Sequence, residues 1–294
     1  MGYTKAVLIV GGSGVLGTHL ALRFREQYKV FATFYRNPIK IRGVTCLPMD
    51  AGNQNWVKRV VYMVRPDIVV YVAGRNDVDW ADEQQKPAQA IHTEGPGNIA
   101  SAAEIFQPKF IYISNCFAYD GQRGNYHPND TVIPFTILGK VKVGGENAVR
   151  GRSLNYVIIR SSPFLGRGNV ISHSFLDQMR MQLDRGQKIT LSADETHSFV
   201  PIDGLVELIA QVAESGIRKR VLHYGGLTRA SYYELGMLFA KRFGYDPANI
   251  IEKRLDHPTD YSLNSTHAIE LLKIKPFLLE ECLDLIQKKL VPAP

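Results

Sequence analysis

The fold is decided by one glycine-rich stretch near the start of the chain, Ile9-Val10-Gly11-Gly12-Ser13-Gly14-Val15-Leu16-Gly17. This stretch follows an apolar run, Ala6–Val10, and opens an amphipathic segment, Val15–Gln27, as a first strand passing into a first helix does. Its glycines satisfy both the GxGxxG and the GxxGxxG spacing. Glycines at these positions permit a tight turn, close approach of the backbone to a pyrophosphate, and close helix–strand packing. The stretch therefore predicts a dinucleotide-binding turn.

The first half of the chain alternates strand-like runs with longer helical stretches, which is typical of βαβ units and a parallel sheet. After the first strand and helix, the predicted strands are Lys29–Phe34, Val44–Pro48, Asp67–Ala73, Phe110–Ser114 and Tyr156–Ile159. The predicted helices are Asn53–Val64, Pro87–Phe106 and Ile137–Arg150, and Gly95-Pro96-Gly97 should kink or split the second one. This order predicts an α/β fold with a doubly wound parallel sheet of the Rossmann type.

After Pro163 the alternation weakens. The predicted elements there are helices at Ser172–Arg185, Asp203–Ser215, Tyr232–Phe243 and Glu280–Lys288, and one strand at Val221–Tyr224. We expect a Rossmann domain over residues 1–162, to which residues 197–215 return. Residues 163–196 and 216–294 should form a smaller C-terminal lobe for a substrate or partner, packed over the carboxyl ends of the sheet.

Composition excludes several classes of protein. The 294 residues are 45% hydrophobic and 21% charged, an ordinary globular balance, and no apolar run approaches the roughly 20 residues that span a bilayer. The N-terminus leads straight into a strand pattern, so we expect a cytoplasmic protein. Cys46, Cys116 and Cys282 have no metal-ligand spacing, which predicts reduced thiols and no metal site. The charge of +7 is scattered, which favours a basic surface or a phosphorylated ligand over specific nucleic-acid binding.

The end of the second strand indicates the cofactor. An NAD site usually carries an acid there, about 20 residues after the glycines, to hold the ribose hydroxyls. This chain instead reads Thr33-Phe34-Tyr35-Arg36-Asn37-Pro38, without an acid. Arg36, assisted by Lys40 or Arg42, suits a 2′-phosphate, and such a charge-assisted contact contributes about 1.5–3 kcal/mol. The sequence predicts that NADP(H) is preferred and NAD(H) is the alternative cofactor; a solvated surface Arg36 is the competing interpretation.

Further motifs follow the glycine turn in order. They are Met49-Asp50, Pro66–Gly74, Asp77–Asp82, Ile113–Gly121, Pro134–Glu146, Arg160–Pro163 and His197–Asp203. From about residue 5 to about residue 215, this series resembles the extended short-chain dehydrogenase/reductase family. Within that family it is most similar to dTDP-4-dehydrorhamnose reductases and to the regulatory β subunit of methionine adenosyltransferase. The resemblance implies a Rossmann fold, a nucleotide-sugar-like small molecule and NADP(H).

The resemblance also implies which residues bind the cofactor. In the family, the acid after the third strand, Asp50 here, typically meets the adenine amino group. The lysine of the catalytic helix, Lys142 here, holds the nicotinamide ribose. The full set implied for this chain is Gly11, Gly12, Ser13, Gly14, Val15, Leu16, Gly17, Tyr35, Arg36, Asp50, Ala51, Ala73, Gly74, Arg75, Ser114, Lys142, Ser162, Pro163 and Phe164.

The catalytic set implied by the family is incomplete. Family members place a Ser or Thr at the end of the fifth strand, and a Tyr and a Lys four residues apart on a helix. The Tyr hydroxyl donates a proton to the substrate carbonyl as hydride arrives. This chain keeps Lys142, but Leu138 replaces the Tyr and Asn115 replaces the Ser or Thr. Loss of a positioned general acid forfeits about 10²–10⁴ in rate, so Lys142 and Asn115 belong to a catalytic site whose standard chemistry is impaired.

Three functions remain open at this stage. The chain binds NADP(H) without standard hydride transfer, as a pseudoenzyme or cofactor-sensing regulatory subunit, or it is an active keto-sugar reductase or epimerase with a substitute acid. Tyr119, Tyr126 and His127 are the candidates for that acid. Nucleic-acid binding has only net charge to support it. A homodimer or a regulated partner protein is expected, and no membrane. Cys116 is interpreted as a buried structural thiol, since the sequence indicates no His–acid pair beside it. His197, in a lobe motif of the family, is interpreted as nucleotide-contacting or structural.

Overall fold

A computed structural model describes residues 4–290, and side chains as far as residue 288. The strands are β1 (Ala6–Val10), β2 (Lys29–Phe34), β3 (Thr45–Pro48), β4 (Ile68–Tyr71), β5 (Lys109–Asn115), β6 (Tyr156–Ser161), β7 (Phe164–Leu165), β8 (Ile189–Ser192), β9 (Glu195–His197), β10 (Val200–Pro201), β11 (Arg220–Tyr224), β12 (Ala230–Ser231), β13 (Ile250–Lys253) and β14 (Thr259–Asp260). The helices are α1 (Val15–Phe24), α2 (Gln54–Val64), α3 (Val78–Glu83), α4 (Gln85–Gln89), α5 (Gly95–Ala103), α6 (Ile137–Arg150), α7 (Phe175–Leu183), α8 (Ile202–Glu214), α9 (Tyr232–Phe243), α10 (Thr266–Leu272) and α11 (Leu279–Leu290). Within the described range, no helix combines the length and apolar character needed to cross a membrane.

The central sheet has seven strands in the order β11-β6-β5-β4-β1-β2-β3, and every neighbouring pair is parallel. Successive side chains of a strand point to opposite faces of a sheet. Val7 and Ile9 of β1 accordingly pack with α1, α8 and α10, whereas Leu8 and Val10 pack with α2, α5 and α6. Apolar residues thus cover both faces, which explains why the strands read as continuous apolar runs. The predicted doubly wound Rossmann sheet is confirmed.

Strand β11 differs from the sequence prediction. The sequence analysis put Val221–Tyr224 in the lobe, but the strand pairs in parallel with β6 and forms one edge of the central sheet. Its Leu222 and Tyr224 are buried in the same core as α8, together with Ala268 of α10. The placement was wrong because the apolar pattern of a short strand indicates burial but does not identify the strand with which it pairs.

The helix predicted over Pro87–Phe106 is broken, but not where the sequence analysis put the kink. A π-helical turn, Ala90–Glu94, separates α4 from α5, and the break precedes Gly95-Pro96-Gly97. Pro96 lies in the first turn of α5, where its missing N–H has no intrahelical partner to lose. The proline therefore begins a helix here, and the irregular turn upstream of it carries His92.

The lobe has its own core between α7, α9, α11 and the β8–β13 pair. Helix α9 ends where the sequence predicts because both of its ends are capped. Ser231 and Glu234 form a capping box, and Gly244 takes the left-handed conformation at φ 79°. The short strands β7–β10 and β12–β14 went unpredicted, since runs of two to four residues carry too little periodicity to indicate a strand.

Candidate functional site

The turn between β1 and α1 is built around missing side chains. Gly11 has φ +97°, and a Cβ on it would lie 2.6 Å from the Cα of Ala73. A Cβ on Gly12 would lie 2.5 Å from the Cβ of Ala32, and one on Gly17 would lie 2.1 Å from the Gly11 carbonyl oxygen. Each of these three glycines therefore permits a close approach, to backbone at Gly11 and Gly17 and to the Ala32 methyl group at Gly12, that any larger residue would prevent.

The same turn presents the N-terminus of α1 at the carboxyl edge of the sheet. Gly14 is the N-cap residue and has no side chain to cap the helix. The first intrahelical bond runs from the Thr18 N–H to the Gly14 carbonyl at 3.0 Å. The N–H groups before it in the first turn, including those of Val15 and Leu16, therefore have no partner within the helix. Such groups and the positive end of the helix dipole favour an anion. The cradle of glycines and the helix N-terminus fit the pyrophosphate of a dinucleotide.

A segment of the lobe, residues 167–172, contacts this turn from outside the sheet. The side-chain amide of Asn169 donates to the Ser13 carbonyl at 3.1 Å and to the Thr18 hydroxyl at 2.7 Å. The Ser172 hydroxyl donates to the same Ser13 carbonyl at 3.1 Å. The lobe is therefore joined directly to the phosphate-binding turn, a contact that the sequence analysis missed because it joins positions more than 150 residues apart.

The ends of β2 and β3 carry the residues predicted for the adenosine half of the ligand. Tyr35 and Arg36 are exposed, and the Arg36 guanidinium carbon lies 5.2 Å from the centre of the Tyr35 ring. A carboxylate oxygen of Asp50 accepts a hydrogen bond from the Gly52 N–H at 2.9 Å, which orients that side chain. Ala51 beside it is buried. The exposed Arg36 guanidinium thus follows β2, the strand next to β1, and can contact a phosphate of a ligand bound at the glycine turn.

The end of β4 brings three further predicted residues to the same edge. Ala73 is buried, whereas Gly74 is exposed with φ +108°. Arg75 is exposed and pairs with Asp77 at 2.7 Å. A Cβ on Gly74 would lie 2.2 Å from Cε1 of the His92 ring. The imidazole therefore fills the space that a side chain at position 74 would need.

His92 is the most unusual polar residue at this edge, and the sequence analysis did not select it. The side chain is fully buried, and Nε2 lies 3.0 Å from the Arg75 carbonyl oxygen. Among the described residues, no atom serves as a hydrogen-bond partner of Nδ1. Burial, and secondly the nearby Lys142 ammonium, hold the pKa of His92 well below its usual range. The ring is consequently neutral at ordinary pH.

Lys142 lies on α6 beneath the ends of β4 and β5. It is buried, its Nζ donates to the Ile113 carbonyl at 3.1 Å, and the ammonium lies 5.7 Å from the centre of the Tyr112 ring. Burial lowers the pKa of Lys142 to about 8, while the Glu146 carboxylate opposes the shift. On the neighbouring strand, the buried Ser114 hydroxyl has no partner within the described part of the chain. Lys142 is therefore close enough to His92 to affect its pKa, and both His92 and Ser114 keep a buried polar atom without a partner among the described residues.

The position of the family's tyrosine is filled with apolar side chains. Leu138 has 0% exposure and belongs to a cluster with Phe117 and Tyr261. Asn115 is also committed within the protein, because its amide donates to the Asn76 side chain at 3.0 Å and its carbonyl oxygen accepts from the Phe117 N–H at 3.2 Å. Leu138 and Asn115, which the resemblance assigns to two positions of the catalytic set, are thus taken up by apolar packing and by internal hydrogen bonds.

Tyr119, a candidate substitute acid, belongs to a buried network. Its hydroxyl accepts from Arg160 at 2.8 Å and lies 3.0 Å from both the His127 carbonyl oxygen and Nε2 of His223. Arg160 in turn donates twice to Glu146, at 2.8 and 2.6 Å. Burial raises the pKa of Tyr119 to about 12. The hydroxyl is held between β6, β11 and the loop after β5, and among the described residues its hydrogen-bond partners do not include Lys142 or Asn115.

The other two candidates also make their contacts away from Lys142. Tyr126 is buried, stacks on Tyr119 with ring centres 4.2 Å apart, and bonds to a carboxylate oxygen of Asp120 at 2.5 Å. Burial and that carboxylate raise the pKa of Tyr126. His127 is exposed and contributes its backbone to Tyr119 and Asp130. The structure therefore brings neither side chain into contact with Lys142.

The predicted residues after β6 take part in joining the lobe to the sheet. The Ser162 hydroxyl lies 2.8 Å from that of Ser198, and both are buried. The Pro163 carbonyl accepts from the Val200 N–H at 3.2 Å, and Phe164 pairs with Val200 in a two-stranded sheet. The polar groups of this segment are thus used within the protein.

The sequence interpretation of Cys116 needs one correction, because a His–acid pair does lie beside the thiol. Sγ lies 3.6 Å from Nδ1 of His197, whose Nε2 lies 2.7 Å from the Glu195 carboxylate. The thiol and imidazole are buried and ringed by aromatic side chains, and burial raises the pKa of Cys116. A buried thiol with a raised pKa is a poor nucleophile, so the structural interpretation of both residues is retained. No group of three or more metal-ligating side chains occurs in the described range.

The seven-stranded sheet, the glycine turn and the helix lysine define an α/β protein of the extended short-chain dehydrogenase/reductase architecture. Residues 5–268 match the family model described as RmlD substrate binding domain. The chain belongs to this family.

Named relatives resemble the chain over most of its length. Methionine adenosyltransferase 2 subunit beta of Pongo abelii is 25% identical over 264 residues, covering 86% of this chain and 76% of the relative. A dTDP-4-dehydrorhamnose reductase of Mycobacterium tuberculosis is 25% identical over 255 residues, covering 85% and 79%. The structure of a dTDP-4-dehydrorhamnose reductase from Bacillus anthracis in complex with NADP superposes with a TM-score of 0.85 at 21% identity, covering 98% of this chain and 100% of that one.

Proposed function

We propose that this chain binds NADP(H) and holds it without the standard proton transfer of a nucleotide-sugar reductase. The observation that carries the proposal is Leu138. A fully buried aliphatic side chain stands where the family's tyrosine would donate its proton. The glycine cradle and the exposed Arg36 support binding of the cofactor, and the NADP complex of the Bacillus anthracis reductase supports the choice of NADP.

Cofactor binding is tested by titrating the protein with NADPH and with NADH and measuring the two dissociation constants. The Arg36 guanidinium can meet the 2′-phosphate that only NADPH carries, so NADPH should bind more tightly. Equal dissociation constants for the two cofactors would contradict the NADP(H) preference. Binding of neither cofactor would contradict the proposal as a whole.

The absence of a proton donor is tested by single-turnover oxidation of NADPH with a dTDP-4-keto-6-deoxyhexose. Wild type is compared with Leu138→Tyr, which restores the hydroxyl, and with Leu138→Phe, which adds the same ring without it. We expect no oxidation by wild type or Leu138→Phe. Rapid oxidation by wild type would show that another group supplies the proton, and the chain would then be an active reductase. Oxidation by Leu138→Tyr alone would show that an inherited sugar site lacks only its acid.

A cofactor-sensing subunit is the second candidate, and the similarity to a protein named as a β subunit supports it. The loop after β5 adds a structural observation. Tyr126 pairs with Leu263 of the lobe, and the Asn125 N–H donates to the Ser262 hydroxyl at 2.7 Å. A loop fixed in this way suits a binding surface. The test adds the chain to a methionine adenosyltransferase catalytic subunit and measures its rate with and without NADPH. An unchanged rate under both conditions would reject that partner.

A further inference from the structure

The net charge of the chain is gathered at one edge of the central sheet. Because all seven strands are parallel, the segments that lead into them meet at the amino edge, opposite the glycine turn. These segments are residues 4–5, 25–29, 42–45, 65–67, 104–109, 151–156 and 215–220. They contain ten lysines and arginines but three acids, a net charge of +7 that equals that of the whole chain. Charge that is scattered along the sequence is therefore brought to one face by the fold.

Nearly all of these cations face solvent. Lys109 is the buried exception, and its ammonium donates to the carbonyls of Val212 and Ser215. The nine exposed cations are Lys5, Arg25, Lys29, Arg42, Arg65, Arg152, Arg218, Lys219 and Arg220. In the part of the chain that the structure describes, none of the nine forms an ion pair. Burial, and secondly the charge of Lys5, lower the pKa of Lys109, so cations of this edge are close enough to repel each other.

Helix ends explain only part of this charge. The carboxyl end of a helix favours a cation in its last turn, and Arg25 and Arg65 are the C-cap residues of α1 and α2. Arg152 donates to the Ala148 carbonyl in the last turn of α6 at 3.0 Å. The other six exposed cations lie in turns or at strand starts, beyond the helix ends: Lys5, Lys29, Arg42, Arg218, Lys219 and Arg220. Stabilisation of helices therefore does not account for most of the row.

The exposed cations form a row along the sheet. Every strand except β5 is preceded or begun by at least one of them. The Arg25 guanidinium donates to the Arg42 carbonyl at 2.8 Å, which places the turn before β3 at the same edge. Neighbouring strands lie about 4.8 Å apart, so the seven strands span about 30 Å. At about 3.4 Å per phosphate, the spacing along one strand of a duplex, that length corresponds to about nine phosphates. A row of unpaired cations thus matches a polymer that repeats its negative charge.

The surface around the row favours a nucleic-acid backbone over a protein or a membrane. Protein interfaces bury an apolar centre, and membrane-bound faces insert apolar side chains. Within the segments that lead into the strands, the exposed large apolar side chains are Ile105 and Leu154, both at the β5–β6 part of the row. The part from β4 to β3 thus presents charge without an apolar centre. Tyr62, exposed on the last turn of α2 beside Arg65, offers a ring on which a base can stack.

We propose that the amino edge of the central sheet binds the phosphate backbone of a single-stranded nucleic acid, without reading its sequence. Six of the nine exposed cations are arginines, whose planar N–H groups match a phosphate. Neighbouring strands of a sheet twist by about 20–25°, so the row is curved, and a flexible single strand can follow it where a rigid duplex cannot. The NADP(H) site lies at the opposite edge, so the two ligands do not compete.

The proposal is tested with fluorescein-labelled oligo(U) of about 20 nucleotides. Dissociation constants are measured by fluorescence anisotropy between about 50 and 200 mM salt, where affinity for a single strand falls with a slope of about −0.7 per phosphate contact. The β11-end variant combines Arg218→Gln, Lys219→Gln and Arg220→Gln. Loss of three contacts should make the slope less steep by about 2 and weaken binding about 10- to 100-fold at 0.1 M salt.

The matched control changes the net charge by the same amount on another face. The lobe variant combines Arg185→Gln, Lys188→Gln and Lys241→Gln, which are exposed cations outside the row. It should bind oligo(U) within about threefold of wild type, because exposed charges more than about 10 Å away are largely screened by salt. Equal losses in the lobe variant and the β11-end variant would mean that the oligonucleotide responds to overall charge, and the assignment to this edge would be rejected.

A second variant tests whether the contact extends along the whole row. The β3-end variant combines Lys5→Gln, Lys29→Gln and Arg42→Gln, and should weaken oligo(U) binding as much as the β11-end variant does. A loss at one end alone would contradict a row that binds as a unit. Both variants should bind NADPH as wild type does, because the glycine turn is at the opposite edge. If wild type binds oligo(U) but not NADPH, the proposed function fails and this inference stands.

Three further probes identify the other occupants that a basic face could have. They are poly-L-glutamate of similar length, a DNA duplex of about 20 base pairs, and vesicles that contain phosphatidylserine. We expect wild type to bind oligo(U) more tightly than any of them. Tighter binding of poly-L-glutamate would indicate an acidic protein, tighter binding of the duplex would exclude a single strand, and binding to the vesicles alone would indicate a membrane surface. Each of these results, or no binding of oligo(U) at about 50 mM salt, would overturn the proposal.

Discussion

The glycine turn and the start of α6 serve the same edge of the sheet but are built in opposite ways. At the turn, side chains are absent: Gly11, Gly12 and Gly17 lie so close to backbone or Cβ atoms that any side chain there would clash. At the start of α6, space is filled, with Leu138 in an apolar cluster and Asn115 bonded on both sides. One region has the geometry of a binding site, while in the other both side chains are taken up by internal contacts. The proposed function treats binding and chemistry as separable, and the two regions can be perturbed independently to test it.

The largest expected effect tests whether α6 is anchored by its buried charge. Glu146→Leu leaves the Arg160 guanidinium, 1% exposed, without its carboxylate, and breaking a buried pair costs about 3–5 kcal/mol. Adding Arg160→Met should recover most of that loss. Free energies of unfolding from urea titrations give both values. Glu207→Leu, which removes an exposed partner of Arg23, is the matched control and should cost less than about 1 kcal/mol. A similar cost for both single variants would mean that the buried pair does not anchor α6.

The next effect tests the open turn. Gly11→Ala places a Cβ 2.6 Å from the Ala73 backbone at φ +97°, so we expect a loss of about 2–4 kcal/mol in unfolding free energy together with loss of NADPH binding. Gly186→Ala is the control, since Gly186 also has a positive φ but no atom near its missing side chain. Gly186→Ala should lower the free energy of unfolding only by the backbone strain, about 1 kcal/mol. Equal costs would show that close packing at the turn contributes nothing.

A smaller effect distinguishes the two cofactors at the adenosine end. Arg36→Ala should weaken NADPH binding by about 1.5–3 kcal/mol, because it removes a charge-assisted bond to the 2′-phosphate. NADH has no such phosphate and should bind as before. Arg185→Ala, which removes an exposed cation of the lobe, controls for the general positive field. If NADPH and NADH weaken together, Arg36 acts on the whole ligand and the preference has another source.

The smallest change per step of the experiment is a pH dependence from Lys142. Its folded-state pKa of about 8 lies below the ordinary 10.5, so between those values the unfolded chain binds more protons than the folded one. Stability therefore rises with pH across that window. Lys142→Met removes this contribution. The free energy of unfolding of wild type minus that of the variant should therefore rise with pH, by no more than about 1.4 kcal/mol per pH unit. Urea unfolding at pH 7.5 to 10 measures it. A flat difference would show that the ammonium is not desolvated.

The sequence was most informative where a structure depends on nearby residues. The glycine turn, β1 and β2 agree with the prediction, because apolar periodicity and the turn residues lie within one short stretch. Helix α6 agrees to the residue at Ile137–Arg150, since the Thr136 hydroxyl caps its start by accepting from the Gly139 N–H at 3.0 Å. Leu138 and Lys142 lie one turn apart on α6, as the spacing of four residues predicts, whereas the catalytic meaning of position 138 stays a prediction.

The sequence was least informative where distant segments meet. Asn115 could be matched with a family position, but its partner Asn76 lies 39 residues away, and no local pattern joins them. Nothing in Ala90–Glu94 indicates a π-helical turn, so the burial of His92 could not be anticipated. Glu195 and His197 are two residues apart, but their approach to Cys116 depends on how the lobe folds over the sheet. Local chemistry can be read from residue types, whereas pairing must be seen in three dimensions.

The position of β11 has a consequence for synthesis of the chain. The strand completes the sheet at the edge of β6, but it follows the first part of the lobe sequence, residues 163–196, and helix α8. While the chain emerges from the ribosome, β6 therefore keeps an open row of N–H and C=O groups until residues 220–224 are made. Open edges of this kind recruit other strands and promote aggregation. A recombinant fragment that stops at residue 162 carries the whole glycine turn, yet we expect its open β6 edge to make it prone to aggregate.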